Sequence, residues 1–369
     1  MATRNIVPRA DGEGQLGTTV KEWGAVRAKA VHAGEMFVGA MTEKLEIYIP
    51  DPLRAAVEAA TGGMCTVLYD DFNLPNYMRI VPAMNAADLI TLSPAATGLH
   101  PAFMVNGTDI PEIFVGMFIA GAVNVGGTNR AVSYPGLAPW TSINFDNARA
   151  ACVAKGTGWH LNTNWSWAAK SLWCKKNNFE PRGNTNNARA HDAVHETGRP
   201  ITAANAPGVS DNSNYTLTGT GPYSWRHDGT VAGIADLVGN VWEWVDGMRI
   251  VAGDVEMLND NNINLCTEVA NEASWVDQSF GVADANPWSA LSSAGDNDLL
   301  RLALISPGGA VHPQGRLYVT TTDTRLPFRG GARISGANAG LAALYLDFLR
   351  SYTSPGIGFR PAFIHPDYL

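Results

Sequence analysis

Cysteine is scarce in this chain. Cys65, Cys152, Cys174 and Cys266 are the only 4 in 369 residues, and no two form a CxxC pair. That spacing excludes a zinc finger or ribbon, and small buried hydrophobes are the better reading of the four. Charge is thin as well: 16% of residues are charged, and the net charge of -8 leaves no basic excess. A general nucleic-acid binder needs a basic face to release counterions, so no nucleic-acid partner is expected. The longest apolar run, Ile113 to Val125, carries two glycines. It falls short of the roughly 20 residues a membrane span needs, so membrane insertion is not expected. The opening MATRNIVPRADGEG has no apolar core of a signal peptide, which predicts synthesis in a cytoplasm without an export signal. Neither a phosphate-cradling G-x-x-x-x-G-K-S/T nor a G-x-S-x-G elbow occurs.

Glycine and tryptophan are plentiful, at 38 and 11, and 46% of residues are hydrophobic. Few charges, many glycines and many large aromatics suit irregular loops pinned by rings. The length predicts two or three domains with ample core. Residues 1–45 read as a small β-rich module, turn-rich at Asp11 to Gly17 and too short for a core of its own. Residues 46–109 read as an intermediate β-rich segment. In it Pro52 opens a helix over Asp51 to Ala60, Gly62-Gly63 ends it, and Met64 to Tyr69 forms a strand. A larger domain spans residues 110–369. Ile113 to Val123 predicts a buried strand there. A helix over Asn144 to Lys155 has Asn144 as cap and Lys155 in its last turn. A second helix, about Asn164 to Lys176, is capped by Thr163 and turns Trp165, Ala168, Ala169, Leu172 and Trp173 inward. Asn177 to Gly221 reads as long irregular structure. Residues 251 to about 300 read as an insertion.

The last forty residues organise the rest. Arg329-Gly330-Gly331 opens the stretch, and Ile357-Gly358-Phe359-Arg360-Pro361 closes it as a short strand stopped by proline. Leu344 and Leu346 alternate with Tyr345 and Asp347, so the leucines face one side of a strand and the other pair face away. With Gly239-Asn240-Val241-Trp242-Glu243-Trp244 upstream, this frame resembles the formylglycine-generating-enzyme family. Its interior resembles more closely the variable proteins of diversity-generating retroelements, many of them phage tail receptor-binding proteins. There a reverse transcriptase randomises adenines, mostly in Asn-type codons. Altering the first two bases of such a codon cannot give Met, Trp, Lys, Gln or Glu, and none of these occurs between Ala332 and Gly356. The opening NIVPRADGEG…LGT…K-x-W-G phrase resembles N-terminal segments of phage tail fibre proteins.

The resemblance implies an α+β, C-type-lectin-like fold of formylglycine-generating-enzyme type, preceded by the β-rich attachment module. It implies a hypervariable adhesin at a phage tail tip that binds a host cell-surface receptor, protein or glycan. Its partners would be other tail proteins and two further copies of itself, as a homotrimer. The displayed, ligand-binding positions are Ala332, Ile334, Ser335, Tyr345, Asp347, Phe348, Leu349, Tyr352, Thr353, Ser354 and Gly356, with Pro355 beside them. They are expected on one face, mostly exposed, over buried Leu344, Leu346 and Phe359.

The alternative is an oxidase. Catalysis in the enzyme family uses a cysteine pair between RGG and GFR, and no cysteine lies between Gly331 and Gly358. The resemblance therefore implies the scaffold without the activity, and no cofactor. In the enzyme family the turn at Asn240 can hold a structural calcium through Asn and backbone oxygens; otherwise Asn240 closes a turn and Glu243 pairs with a buried Arg. His191 and His195, in HDAVHE, have helical spacing in a stretch without helix signals, so hydrogen-bonded loop histidines are favoured over a metal pair. A calcium-dependent sugar motif such as Glu-Pro-Asn is absent.

Overall fold

A computed structural model describes residues 51–92, 98–202, 206–210, 214–264, 275–281, 288, 297–305 and 314–369. The chain divides into two units, Met1–Pro50 and Asp51–Leu369, and all described residues belong to the second. The N-terminal module expected over residues 1–45 lies outside the described residues.

Helices begin where their caps are. The Asp51 side chain accepts from the Arg54 N–H at 2.9 Å, and Pro52 occupies the first turn of Pro52–Ala60. Asn144 accepts from the Asn147 N–H at 2.9 Å to open Phe145–Val153. Thr163 accepts from the Ser166 N–H at 3.1 Å to open Asn164–Lys176. Ser166 also takes a hydrogen bond from Thr163 Oγ1 at 3.0 Å. The inward face of this helix is as the periodicity predicts, except that Trp173 is only partly buried and stacks on Phe179 at 5.7 Å.

Lys155 is not a last-turn surface residue. The helix ends at Val153, and Lys155 is buried, donating to Asp70 Oδ2 at 2.7 Å, Asn76 Oδ1 at 2.9 Å and the Ala131 carbonyl at 2.6 Å. Three acceptors supply what water would have given the ammonium. Ile113 to Val123 is likewise two strands, Glu112–Gly116 and Gly121–Val125. The second of these turns back through Gly126 and Gly127, both at positive φ.

The fold is mixed α+β. One five-stranded sheet runs Cys65–Tyr69, Pro75–Pro82, Glu112–Gly116, Pro361–Phe363 and Trp159–Leu161. Its second and third strands pair from Met78↔Gly116 to Pro82↔Glu112. The boundary expected near Ile110 is therefore no boundary of the sheet, because residues 65–82 hydrogen-bond into the layer that the C-terminus completes. A second five-stranded sheet carries the C-terminal frame, in the order Leu317–Val319, Gly340–Leu346, Phe328–Gly330, Trp242–Trp244 and Ile357–Phe359. A four-stranded sheet holds Val276–Gly281, Asp254–Met257, Met248–Val251 and Thr324–Arg325. Part of the expected insertion is thus built in: Val255, Met257, Trp288 and Leu300 join the main apolar core. The described part of Asn177 to Gly221 is irregular, as expected, and is pinned by buried polar side chains such as Asn184, Asn214 and Thr216.

Candidate functional site

Two buried arginines fix the C-terminal frame. Arg360 meets Glu243 through two bonds, at 2.6 and 2.8 Å, and donates to the Gly116 and Ala235 carbonyls at 2.9 Å each. Arg329 donates to Asn164 Oδ1 at 2.7 Å and to the Ala303 carbonyl at 3.1 Å, and burial pulls its pKa down to about 9. Gly330 has φ +95, and a Cβ there would stand 2.7 Å from the Leu237 carbonyl oxygen. Only glycine lets the two backbones approach this closely. Asn240, at φ 63, accepts from the Thr216 N–H at 2.9 Å and from Asn184 Nδ2 at 3.2 Å, and donates to the Thr216 carbonyl at 3.0 Å. The Asn240 and Glu243 side chains are thus engaged by protein partners, and among the described residues no cluster of His, Cys, Asp and Glu could hold a metal ion.

The alternation around Leu344 has its physical counterpart. Leu344 and Leu346 are buried in the main apolar core, while Tyr345 faces the other way, is half-buried, and packs against the second apolar cluster, which holds buried Phe359. An open cavity of about 570 Å³ lies there, and Ala332, Ile334, Ser335, Tyr345, Ser354 and Gly356 line it. Tyr215, Trp242, Tyr318, Arg333 and Pro355 complete its wall. From Tyr345 a stack of rings runs outward, reaching Phe348 at 5.3 Å and then Tyr352 at 3.7 Å. Inward, Tyr345 stacks on Tyr318 at 4.5 Å and on Phe328 at 5.3 Å, with Trp242 edge-on at 5.3 Å. Partial burial, then the nearby Asp347 carboxylate, hold the Tyr345 hydroxyl above its ordinary pKa.

Exposure within the expected set is uneven. Ile334, Leu349 and Thr353 are exposed; Ser335, Tyr345, Asp347, Phe348, Tyr352, Ser354 and Gly356 are half-buried. Ala332 departs from the expectation of exposure at 6%, because its methyl group packs into the apolar cluster beneath Tyr345.

Main-chain atoms hold much of this surface in place. The Ser354 carbonyl accepts from the Ser142 N–H at 3.0 Å, Arg350 O from the Phe145 N–H at 3.1 Å, and Gly356 O from the Trp242 N–H at 2.9 Å. Asp347 O accepts from Arg325 at 2.9 Å. Such bonds do not depend on which side chain the carbonyl's residue carries. Two serines do bond locally: Ser335 Oγ accepts from the Ala332 N–H at 2.9 Å, and Ser354 Oγ from the Gly356 N–H at 3.1 Å.

The other candidate chemistry is dispersed. The described cysteines, Cys65, Cys152 and Cys174, are buried, and burial pushes the thiols of Cys152 and Cys174 up to about 12. A thiolate is the reactive form, so both are inert near neutral pH. Cys266 lies outside the described residues. His191 meets Thr185 Oγ1 at 2.9 Å in irregular structure, and His195 is exposed. Tyr215, Tyr318 and Arg333 were not anticipated from sequence. For Arg333 a signal existed, since it stands between two of the positions expected to be displayed.

No protein-family model matches the chain, and no curated protein does. Among solved structures it is similar to a Major Tropism Determinant U1 variant, at 12% identity and TM-score 0.30, over 78% of this chain and 63% of that one. It is also similar to Treponema denticola variable protein 1, at 12% identity and TM-score 0.35, over 81% of this chain and 98% of that one. PvdO from Pseudomonas aeruginosa gives 13% identity and TM-score 0.33, over 81% and 97%. The chain thus spans less than two thirds of the tropism determinant's length.

Proposed function

We propose that this chain is a hypervariable receptor-binding protein of the diversity-generating-retroelement type. In this reading it has a C-type-lectin-like fold and acts as an adhesin at a phage tail tip. The observation that carries the reading is the meeting of Ala332, Ile334, Ser335, Tyr345, Ser354 and Gly356 around one open cavity. Those positions converge from three separate segments of the C-terminal stretch. Backbone bonds under several of them, and two fully buried arginines behind, support a scaffold largely indifferent to what it displays. Recognition proceeds without chemistry. Aromatic side chains supply most of the contact energy, here Tyr345, Phe348 and Tyr352. One such patch is small beside a standard interface, so three copies in a homotrimer, assembled through residues 1–45, would add avidity.

The test uses the full chain. Ile334→Asp, Leu349→Asp and Thr353→Asp are combined, since all three side chains are exposed. Adsorption of purified protein to a panel of bacterial strains is then compared with wild type. Binding to the strains that wild type recognises should be lost or redirected, while the melting temperature stays within a few degrees. Light scattering of the wild type should give three times 39.4 kDa. Unchanged strain recognition would remove the patch from the binding site, and a monomer would remove the avidity.

A further inference from the structure

Arg333 belongs to the frame rather than to the displayed set, yet it lines the same cavity. Its backbone is pinned on both sides: its N–H donates to the Asn240 carbonyl at 3.0 Å, and its carbonyl accepts from the Asn187 N–H at 2.7 Å. The residue is 7% exposed. The guanidinium carbon stands 4.5 Å from the centroid of the Tyr215 ring. Among the described residues no carboxylate or carbonyl accepts a hydrogen bond from it, and Nε is buried without a partner. This contrasts with Arg329 and Arg360, whose forks are satisfied by side-chain and carbonyl oxygens. Of its three nitrogens only Nε is buried, and Nη1 and Nη2 open onto the cavity, where a ligand's oxygens can take the place of water. No Asp or Glu lines the cavity to compete.

We propose that Arg333 is a fixed anchor for the carboxylate of an acidic sugar, a uronic or sialic acid, on the receptor. The proposal rests on the cavity being the receptor site. A planar guanidinium takes a carboxylate through two parallel bonds, which fixes orientation as well as charge. Trp242, Tyr318 and Tyr345 line the cavity with ring carbon for the C–H side of a pyranose, and Ser335 and Ser354 offer hydroxyls for its polar edge. An aspartate or glutamate side chain would leave most of the roughly 570 Å³ empty, whereas a carboxylated ring fills more of it. The displayed positions then tune which sugar is accepted, and Arg333 supplies the acid preference that every variant shares.

The experiment titrates the full chain with glucuronic acid, N-acetylneuraminic acid, glucuronic acid methyl ester, glucose and N-acetylglutamate, read by ligand-observed NMR. At least one sugar acid should bind about tenfold or more tightly than the ester and glucose, the gain expected of hydrogen bonds to a charged group. Arg333→Gln should abolish that preference and Arg333→Lys retain part of it. If Arg333→Gln fails to fold, the acid-against-ester comparison on wild type decides. Equal binding of acid and ester, no sugar binding at all, or a preference that survives Arg333→Gln would each overturn the proposal. So would N-acetylglutamate binding as tightly as the sugar acids, which would assign the carboxylate to a protein receptor. In any of these cases, strain adsorption that still depends on Ile334, Leu349 and Thr353 leaves the receptor-binding reading standing.

Discussion

Tyr345, a position proposed for display, is also a structural one. It contacts the rings of Trp242, Tyr318, Phe328 and Phe348. Tyr352 stacks on Phe348 at the outer end of the row. Surface substitutions seldom move stability by more than about half a kcal/mol, and Tyr345, Phe348 and Tyr352 read as surface from sequence. The stack changes that expectation. At about 0.5–1.5 kcal/mol per ring pair, Tyr345→Ala should cost about 2–6 kcal/mol and Tyr352→Ala about 1 kcal/mol. Trp242→Ala, which removes a nearly buried ring, should cost about 3–5 kcal/mol. Chemical denaturation of the three variants checks this order. A Tyr345 variant as stable as wild type would mean the stack contributes nothing and the display is purely superficial.

At the scale of elements, the frame sheet is held by one buried ion pair. Glu243 lies on Trp242–Trp244 and Arg360 directly follows the strand paired with it, Ile357–Phe359; the two are 1% and 0% exposed. Removing one partner leaves an uncompensated charge, so Glu243→Ala should cost about 3–5 kcal/mol. A melting temperature unchanged by that substitution would show the frame is fixed by backbone pairing alone. Local signals made part of this scaffold legible. Asn144 and Thr163 announced their helices because a cap is a property of four neighbouring residues. The alternation at Leu344 to Asp347 announced a strand with one buried face. Tyr215 and Tyr318 were not legible as cavity residues, since they arrive from segments more than a hundred positions apart in sequence. The strand pairing that crosses the expected division near Ile110 was not legible for a similar reason. The pairing of Pro75–Pro82 with Glu112–Gly116 is long-range and leaves no local mark. Lys155 read as a solvated helix end because Asp70 and Asn76, which neutralise and bind it, are remote in sequence.

The whole molecule carries several ionisable groups buried in unfavourable protonation states. Burial lowers His100 and His160 to about 4 each, and Lys170 to about 7. Each folded value lies below its unfolded one, so the unfolded chain binds the extra proton between the two. Stability should therefore rise with pH from about 4 to 6.5 through the histidines, and again from about 7 to 10 through Lys170. Lys170→Met should raise the melting temperature at pH 7.5 and flatten the upper limb, because an apolar chain replaces a buried amine whose hydrogen bond, to Asn162 Oδ1, is long at 3.4 Å. A steeper upper limb in that variant would contradict the assignment. The central claim concerns where sequence change is tolerated and generated. Its most direct test is deep sequencing of this gene across independent isolates of its source, together with the neighbouring locus. The account predicts a nearby reverse transcriptase and a near-copy of the final segment differing at adenines. It also predicts substitutions concentrated at Ala332, Ile334, Ser335, Tyr345, Asp347, Phe348, Leu349, Tyr352, Thr353, Ser354 and Gly356, with Arg329, Gly330, Arg333 and Arg360 unchanged. Substitutions spread evenly over the last forty residues, with no such copy, would contradict it.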